Sequence, residues 1–270
     1  MAVRVHIDEA YKAVLSSVGL TDFDGFMSFS GGTPVSVHED RDAVRFQVDM
    51  GGESRSLFLK RTRRHSPAEL FRHLLAGRWP VARPVYEYAI CNRLEGLGIP
   101  AMRAIACGQE TRWLLPRQGF GVAEAVPGRM TLAKAWRERA DGTPRLAPRE
   151  KREVVRAVAR LVARLHGADL RWPDLASKHI LLDHAGRTER TNPEWDLYLI
   201  DLERIETSRS PKRRQRDLVK LLESMPAGGV SRADLLRFAV AYCGCEARSW
   251  SDRRAAIGRQ FGRGGGWTAD

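Results

Sequence analysis

Five side chains between residues 60 and 201 have the types and settings needed to handle a phosphate ester and a hydroxyl. Lys60 ends the alternating strand Leu57-Phe58-Leu59-Lys60, on the face of Phe58 and opposite Leu57 and Leu59. Glu87 begins a helical pattern in which Ile90, Cys91 and Leu94 follow at i+3, i+4 and i+7. An acid on such an apolar stripe needs a partner. A strand lysine held by a helix glutamate is a cation fixed in place, suited to phosphate oxygens. Asp174 stands in LHGADLRWPDLASKHILLD, in a loop after an amphipathic helix and before a strand. Such a loop exposes a carboxylate to chemistry. His179 follows at i+5. The runs HILLD and WDLYLID form a hairpin, which brings the residue entering one strand and the residue leaving the other to one end. His179 is therefore expected beside Asp201. Two carboxylates and an imidazole in that setting could hold a divalent cation, align a phosphoryl group and accept a hydroxyl proton. The chemistry is phosphoryl transfer to an alcohol.

The elements that must position these groups are also legible. Asp8 is a candidate N-cap for a short helix with Tyr11, Val14, Leu15 and Val18 at helical spacing. The runs PVSVH, AVRFQVD and SRSLFLKRT, separated by EDRD and by Gly51-Gly52, predict an antiparallel meander. Pro84 suits the first turn of a helix through PVYEYAICNRLEGLG, closed by Gly96 or Gly98. AMRAIACG and FGVAEAV add two strands. Residues 1–126 are thus predicted as an antiparallel five-stranded sheet with its glutamate helix, an amino-terminal lobe. Beyond the turn VPGRMT helical periodicity dominates: Val154, Val155, Val158, Leu161, Val162 and Leu165 stripe one helix, and Ser231 caps another. Residues 127–270 are predicted as a mainly helical lobe with the loop and hairpin, ending in a flexible tail, GRGGGWTAD, from about residue 262. The fold class is α+β.

The Asp174-to-His179 interval matches that from the catalytic aspartate to the metal-binding asparagine in the kinase pattern H-R-D-x-x-x-x-N. Asp201, after LYLI and before Leu202-Glu203, stands where D-F-G has its aspartate, without the phenylalanine and glycine. With FLKRT, LLAGRWPVARPVYEYAICNRLEGLGIPAMRAIACGQ, LHGADLRWPDLASKHILL, YLIDLER and RQRDLVKLL, from about Ser54 to Cys243, the chain resembles the lipopolysaccharide core heptose and Kdo kinase family, a branch of the protein-kinase-like superfamily. The resemblance implies a protein-kinase-like two-lobed fold using ATP, with Lys60 and Glu87 holding phosphates, Asp174 as base, and His179 and Asp201 serving the metal. It also implies that the backbone from Glu124 to Val126 faces adenine, and that Asp217 braces the catalytic loop. The metal expected is Mg2+; Mn2+ is the alternative, because hard cations prefer oxygen to imidazole. Two departures stand out. Trp172-Pro173 replaces the His-Arg that precedes the aspartate in many relatives, so the loop's support must differ. No glycine-rich phosphate loop is present, EDRD occupying the first hairpin turn.

A chain that is 43% hydrophobic and 29% charged is ordinary for a soluble protein, and no run approaches the roughly 20 apolar residues of a membrane span. Asp8 and Glu9 interrupt the place of a secretory apolar core, and Cys91, Cys107, Cys243 and Cys245 form no CxxC pair. A cytoplasmic protein with reduced thiols is expected. The net charge of +12 favours acidic ligands. RTRRHSPAELFRHLLAGRWP reads as a basic amphipathic element that would meet an anionic surface at the inner face of the inner membrane, or pack on the sheet. Arg209, Lys212, Arg213, Arg214 and Arg216 follow Asp201, and Arg213 and Arg214 are the candidate acceptor grips. The expected substrate is a heptose or Kdo hydroxyl of the lipopolysaccharide inner core. The alternatives are a small-molecule kinase of the aminoglycoside or choline type, and a non-catalytic pseudokinase or nucleic-acid-binding regulator. Nucleic acid is the least favoured partner.

Overall fold

A computed structural model describes residues 1–65, 71, 79–113, 115–126, 129–137, 145–183, 195–226, 229–245 and 249–261. The predicted tail lies outside these residues, as does most of the basic amphipathic segment. The chain divides into two compact units, one of Met1–Gly96 with Met102–Pro127, the other of Leu97–Ala101 with Gly128–Asp270.

The first unit is built on an antiparallel sheet of strands β1 (Ala2–Ile7), β2 (Thr33–Val37), β3 (Arg41–Met50), β4 (Glu53–Thr62), β5 (Ala104–Arg112) and β6 (Leu115–Glu124), in the order β1-β5-β6-β4-β3-β2. The sheet therefore has six strands where five were expected. The extra strand, β1, pairs with β5 at an edge; Val3, Val5 and Ile7 alternate with Arg4 and His6, but five of its six residues are exposed, so the alternation marks no core face. The β3–β4 connection is a two-residue turn in which Gly51 and Gly52 have φ of 67° and 90°, the backbone that a tight hairpin demands and glycine adopts without strain. Helices α1 (Glu9–Ser17) and α2 (Phe23–Ser28) cover one face. Asp8 caps α1 as expected, its Oδ1 accepting from the Ala10 amide at 3.0 Å. Tyr11, Leu15, Phe23 and Phe26 pack with Phe46, Leu57, Leu59, Phe120 and Val122 into one core, and Phe26 stacks on Phe120 with ring centroids 4.0 Å apart.

Arg61 is buried in this unit. Its Nε donates to Asp42 at 2.6 Å, and its Nη1 donates to the carbonyls of Phe29, Met27 and Phe26 at 2.6, 3.2 and 3.4 Å. The guanidinium satisfies carbonyls that the end of α2 leaves without intrahelical partners. Arg61 is thus committed internally and is not among the arginines open to a membrane. Of the remaining described residues of that segment, Phe71 and Trp79 are exposed.

Helix α3 (Arg83–Gly96) packs on β4, β5 and β6. It sits close because β6 offers glycines at its seat: a Cβ on Gly119 would lie 2.5 Å from the Ala82 Cβ, and one on Gly121 would lie 3.0 Å from the Pro84 Cβ.

The second unit is mainly helical. It holds β7 (Arg129–Thr131), α4 (Leu132–Ala135), α5 (Pro148–Gly167), β8 (Leu170–Arg171), a 3-10 turn (Ser177–His179), β9 (Ile180–Asp183), β10 (Leu197–Leu199), β11 (Glu206–Thr207), α6 (Pro211–Glu223), α7 (Arg232–Tyr242) and α8 (Trp250–Phe261). The apolar stripe read on α5 is its buried face. Ser231 caps α7 in a reciprocal arrangement with Asp234. β9 pairs with β10 and with β7, while β11 pairs with β8.

Candidate active site

In the first unit the sheet register puts Lys60 opposite Gly121, the position where the first turn of α3 approaches closely. One turn into that helix, Glu87 meets Lys60: its Oε1 and Oε2 each accept from the Lys60 Nζ at 2.9 Å. The carboxylate side chain is only 7% exposed and the ammonium 32%, so this is a fixed, half-buried pair rather than a mobile surface contact. Glu124 plays a structural part. Its carboxylate accepts from the Tyr11 hydroxyl at 2.9 Å and from Arg55 at 2.7 Å, tying α1 to the end of β6. Burial and the Glu124 hydrogen bond push the Tyr11 hydroxyl above its usual range. The amides of Glu124 and Ala125 donate within the unit, each at 2.8 Å, to the carbonyls of Arg103 and Ser56.

Cys91 lies one turn beyond Glu87 on the buried stripe. Burial, reinforced by the Glu87 charge, pushes its thiol up to about 12 from an ordinary 9.0, and burial pushes Cys107 up to about 11. Because both values rise on folding, their contribution to stability is complete below the unfolded thiol value and is lost as pH climbs toward the folded values. Iodoacetamide near neutral pH is therefore expected to leave Cys91 and Cys107 unlabelled in the native protein and to label them in denaturant. Rapid native labelling, read by peptide mass, would contradict this burial.

The second unit brings Asp174, His179 and Asp201 together. Asp174 lies in the turn after β8, which the Leu175 amide closes by donating to the Trp172 carbonyl at 2.9 Å. His179 Nδ1 lies 3.0 Å from the Asp174 carbonyl. A carbonyl only accepts, so Nδ1 carries the hydrogen and, in the neutral ring, Nε2 presents its lone pair. That lone pair faces Asp201, whose Oδ2 is 3.4 Å from Nε2. The hairpin produces this meeting as the strand pattern predicted, Leu199 pairing with Ile180 and the Ile200 amide donating to the His179 carbonyl at 3.0 Å. Asp201 has φ of 62°, a left-handed conformation costly for a residue with a side chain and tolerated best by Asp and Asn.

The loop's support is built differently from a His-Arg pair. Trp172 is fully buried and its indole stacks on His179, with centroids 5.8 Å apart and planes 22° apart. Its amide donates to Oδ2 of Asp217, on α6, at 2.8 Å. Arg171 Nη2 lies 3.1 Å from the other Asp217 oxygen, and His166 Nε2 lies 3.6 Å from Oδ2. His166 Nδ1 continues the chain to the Tyr242 hydroxyl at 2.7 Å. Helices α5, α6 and α7 are thereby joined to the loop that carries Asp174 through one buried polar network, whose outer members sequence reasoning missed. Nothing in their spacing signals a contact over such separations.

Of the two candidate acceptor arginines, Arg214 is 18% exposed and donates to Asp169 at 2.9 Å and to the Ser208 carbonyl at 3.2 Å. Arg213 is half exposed, 3.8 Å from Glu206. Asp169 also accepts from Arg209 at 2.7 Å, and the Arg209 guanidinium, helped by Arg214 against the opposing effect of desolvation, holds its carboxyl below the usual range.

Among the described residues no group of three or more His, Cys, Asp or Glu is arranged to hold a metal ion. His179 Nε2 with Asp201, whose side chain is 46% exposed, fits instead a cation that takes one or two protein donors and fills its other positions with phosphate and water oxygens. Among the described residues no helix is long and apolar enough to cross a membrane.

A sequence model of the lipopolysaccharide kinase (Kdo/WaaP) family matches residues 31–242. The chain is 30% identical over 245 residues to the lipopolysaccharide core heptose(I) kinase WaaP of Pseudomonas aeruginosa, covering 89% of this chain and 86% of that protein. Against the protein of the same name from Escherichia coli K12 it is 29% identical over 212 residues, or 78% of this chain and 77% of that one. Among solved structures, WaaP in complex with acyl carrier protein aligns with a TM-score of 0.64 at 25% identity, over 95% of this chain and 97% of that chain. The fold and the matched length lead to one conclusion: this α+β, protein-kinase-like chain belongs to the lipopolysaccharide kinase (Kdo/WaaP) family.

Proposed function

We propose that the chain is an ATP-dependent kinase that phosphorylates a hydroxyl of the first heptose of the lipopolysaccharide inner core, using Mg2+. The observation that carries this reading is the arrangement in the second unit, where His179 is bonded to the Asp174 carbonyl and faces the Asp201 carboxylate. Asp174 is the base for the acceptor hydroxyl, and His179 and Asp201 are the protein donors to the metal. A divalent cation bound there would neutralise phosphate charge as the γ-phosphoryl group moves. Lys60, fixed by Glu87, holds phosphate oxygens. Adenine is read by the backbone near Val126, since the Glu124 and Ala125 amides are already engaged. Heptose rather than Kdo is the acceptor by analogy with the two named relatives.

A small-molecule kinase of the aminoglycoside type is less well supported, because its cationic acceptors need acidic surroundings and Asp174 has an arginine, Arg204, on its carboxylate. The positive chain also suits acidic partners at the cytoplasmic face of the inner membrane, an anionic lipid surface or an acyl carrier protein such as accompanies WaaP in the solved complex. Incubation with γ-labelled ATP, Mg2+ and purified inner-core oligosaccharides tests the proposal. Label is expected on an acceptor containing heptose and none on one containing Kdo alone. Label on Kdo alone would move the acceptor, and none on either would overturn the reading.

A further inference from the structure

Arg204 ends the run YLIDLER without a role of its own in the sequence reading, yet the fold delivers it to the proposed base. Its Nη1 donates to both carboxylate oxygens of Asp174, at 3.0 and 2.8 Å. The contact is built by the backbone. β11 pairs with β8 with Glu206 opposite Arg171 and Thr207 opposite Leu170; continuing that antiparallel register by two residues sets Arg204 against Pro173, next to Asp174. The turn that carries Arg204 begins at the left-handed Asp201 and is closed by the Ile205 amide donating to the Leu202 carbonyl at 3.0 Å. Leu202 and Ile205 anchor it, both fully buried. The side chain itself remains 60% exposed, and that of Asp174 34%, so the pair can be rearranged by an incoming ligand.

A carboxylate that serves as base must receive the acceptor hydroxyl, and Arg204 already engages both of its oxygens. We propose that Arg204 is a specificity-determining residue that selects acceptors bearing an anionic group beside the reacting hydroxyl. This rests on the kinase reading given above. An acceptor carboxylate or phosphate offers the guanidinium a second partner, so Arg204 bridges acceptor and Asp174 and one charge pairing replaces another. A neutral acceptor shares Asp174 with Arg204 and offers the guanidinium no second partner. Arg204 does not move the proton; it acts through the position of Asp174 and the binding of the acceptor.

The test compares an inner-core oligosaccharide whose Kdo carboxylates are intact with the same oligosaccharide after reduction of those carboxylates to alcohols. For the wild-type protein kcat/KM is expected to favour the intact form by about fivefold, the size of one partly exposed charge pair. Arg204→Gln is expected to bring the ratio close to one, with the loss falling on KM for the intact form, and Arg204→Lys to retain part of the preference. An unchanged ratio in Arg204→Gln, or an equal loss on both acceptors, would overturn the proposal and leave Arg204 a structural support of the loop. A wild-type protein that phosphorylates neither oligosaccharide would instead overturn the kinase reading, and this proposal with it.

Discussion

Asp174→Asn is expected to lower kcat by roughly a thousandfold while leaving the protein folded, the loss typical of removing a general base. Asparagine has the size of aspartate but cannot accept the hydroxyl proton. The backbone contacts that shape the loop survive, since His179 bonds the main-chain carbonyl of residue 174 and the Leu175 amide bonds that of Trp172. What is lost structurally is the ion pair with Arg204, and a pair this exposed contributes about 1 kcal/mol or less. Initial rates and thermal melting, measured on one preparation, separate the two effects. A variant that melts near the wild-type temperature and is nearly inactive fits the assignment. Residual activity within about tenfold of wild type would remove Asp174 from the role of base.

Asp217→Ala should show the opposite signature, with stability falling first. The carboxylate is fully buried, accepts the Trp172 amide and lies 3.1 Å from the largely buried Arg171 guanidinium. Removing it leaves the Trp172 amide without its acceptor and Arg171 with the more distant Glu206, 3.6 Å away, as its remaining described carboxylate, a loss of about 3 kcal/mol. For a chain of this size that corresponds to a drop of roughly 10 °C in Tm. Asp217→Asn keeps an oxygen for the Trp172 amide and is expected to lose less. Equal and small effects of the two substitutions would mean that the network is dispensable.

The parts of the fold and site that could be read in the sequence are those written in local pattern. Lys60 ended a run of strict alternation, and Glu87 was conspicuous as an acid on an apolar stripe; their pairing at 2.9 Å needed only the two elements to pack. One hairpin sets His179 beside Asp201, and Asp174 stands in the loop before it. The missed features depend on contacts distant in sequence. β1 is exposed nearly throughout and is defined only by hydrogen bonding to β5, about 100 residues on. Arg61 looked like one more surface arginine in a basic run, and its burial follows from the carbonyls at the end of α2, some 30 residues earlier. Trp172-Pro173 read as a departure from a familiar loop. The tryptophan's amide still reaches Asp217 and its ring supports His179, a solution that no spacing rule announces.

The most direct measurement is phosphorus NMR and mass analysis of a heptose-containing inner-core oligosaccharide after incubation with ATP, Mg2+ and either the wild-type protein or Asp174→Asn. The account predicts one new phosphate ester on the heptose with the wild-type protein, one ADP formed for each ester, and almost none of either with the variant. ADP release without a sugar phosphate, or equal transfer by both proteins, would contradict it.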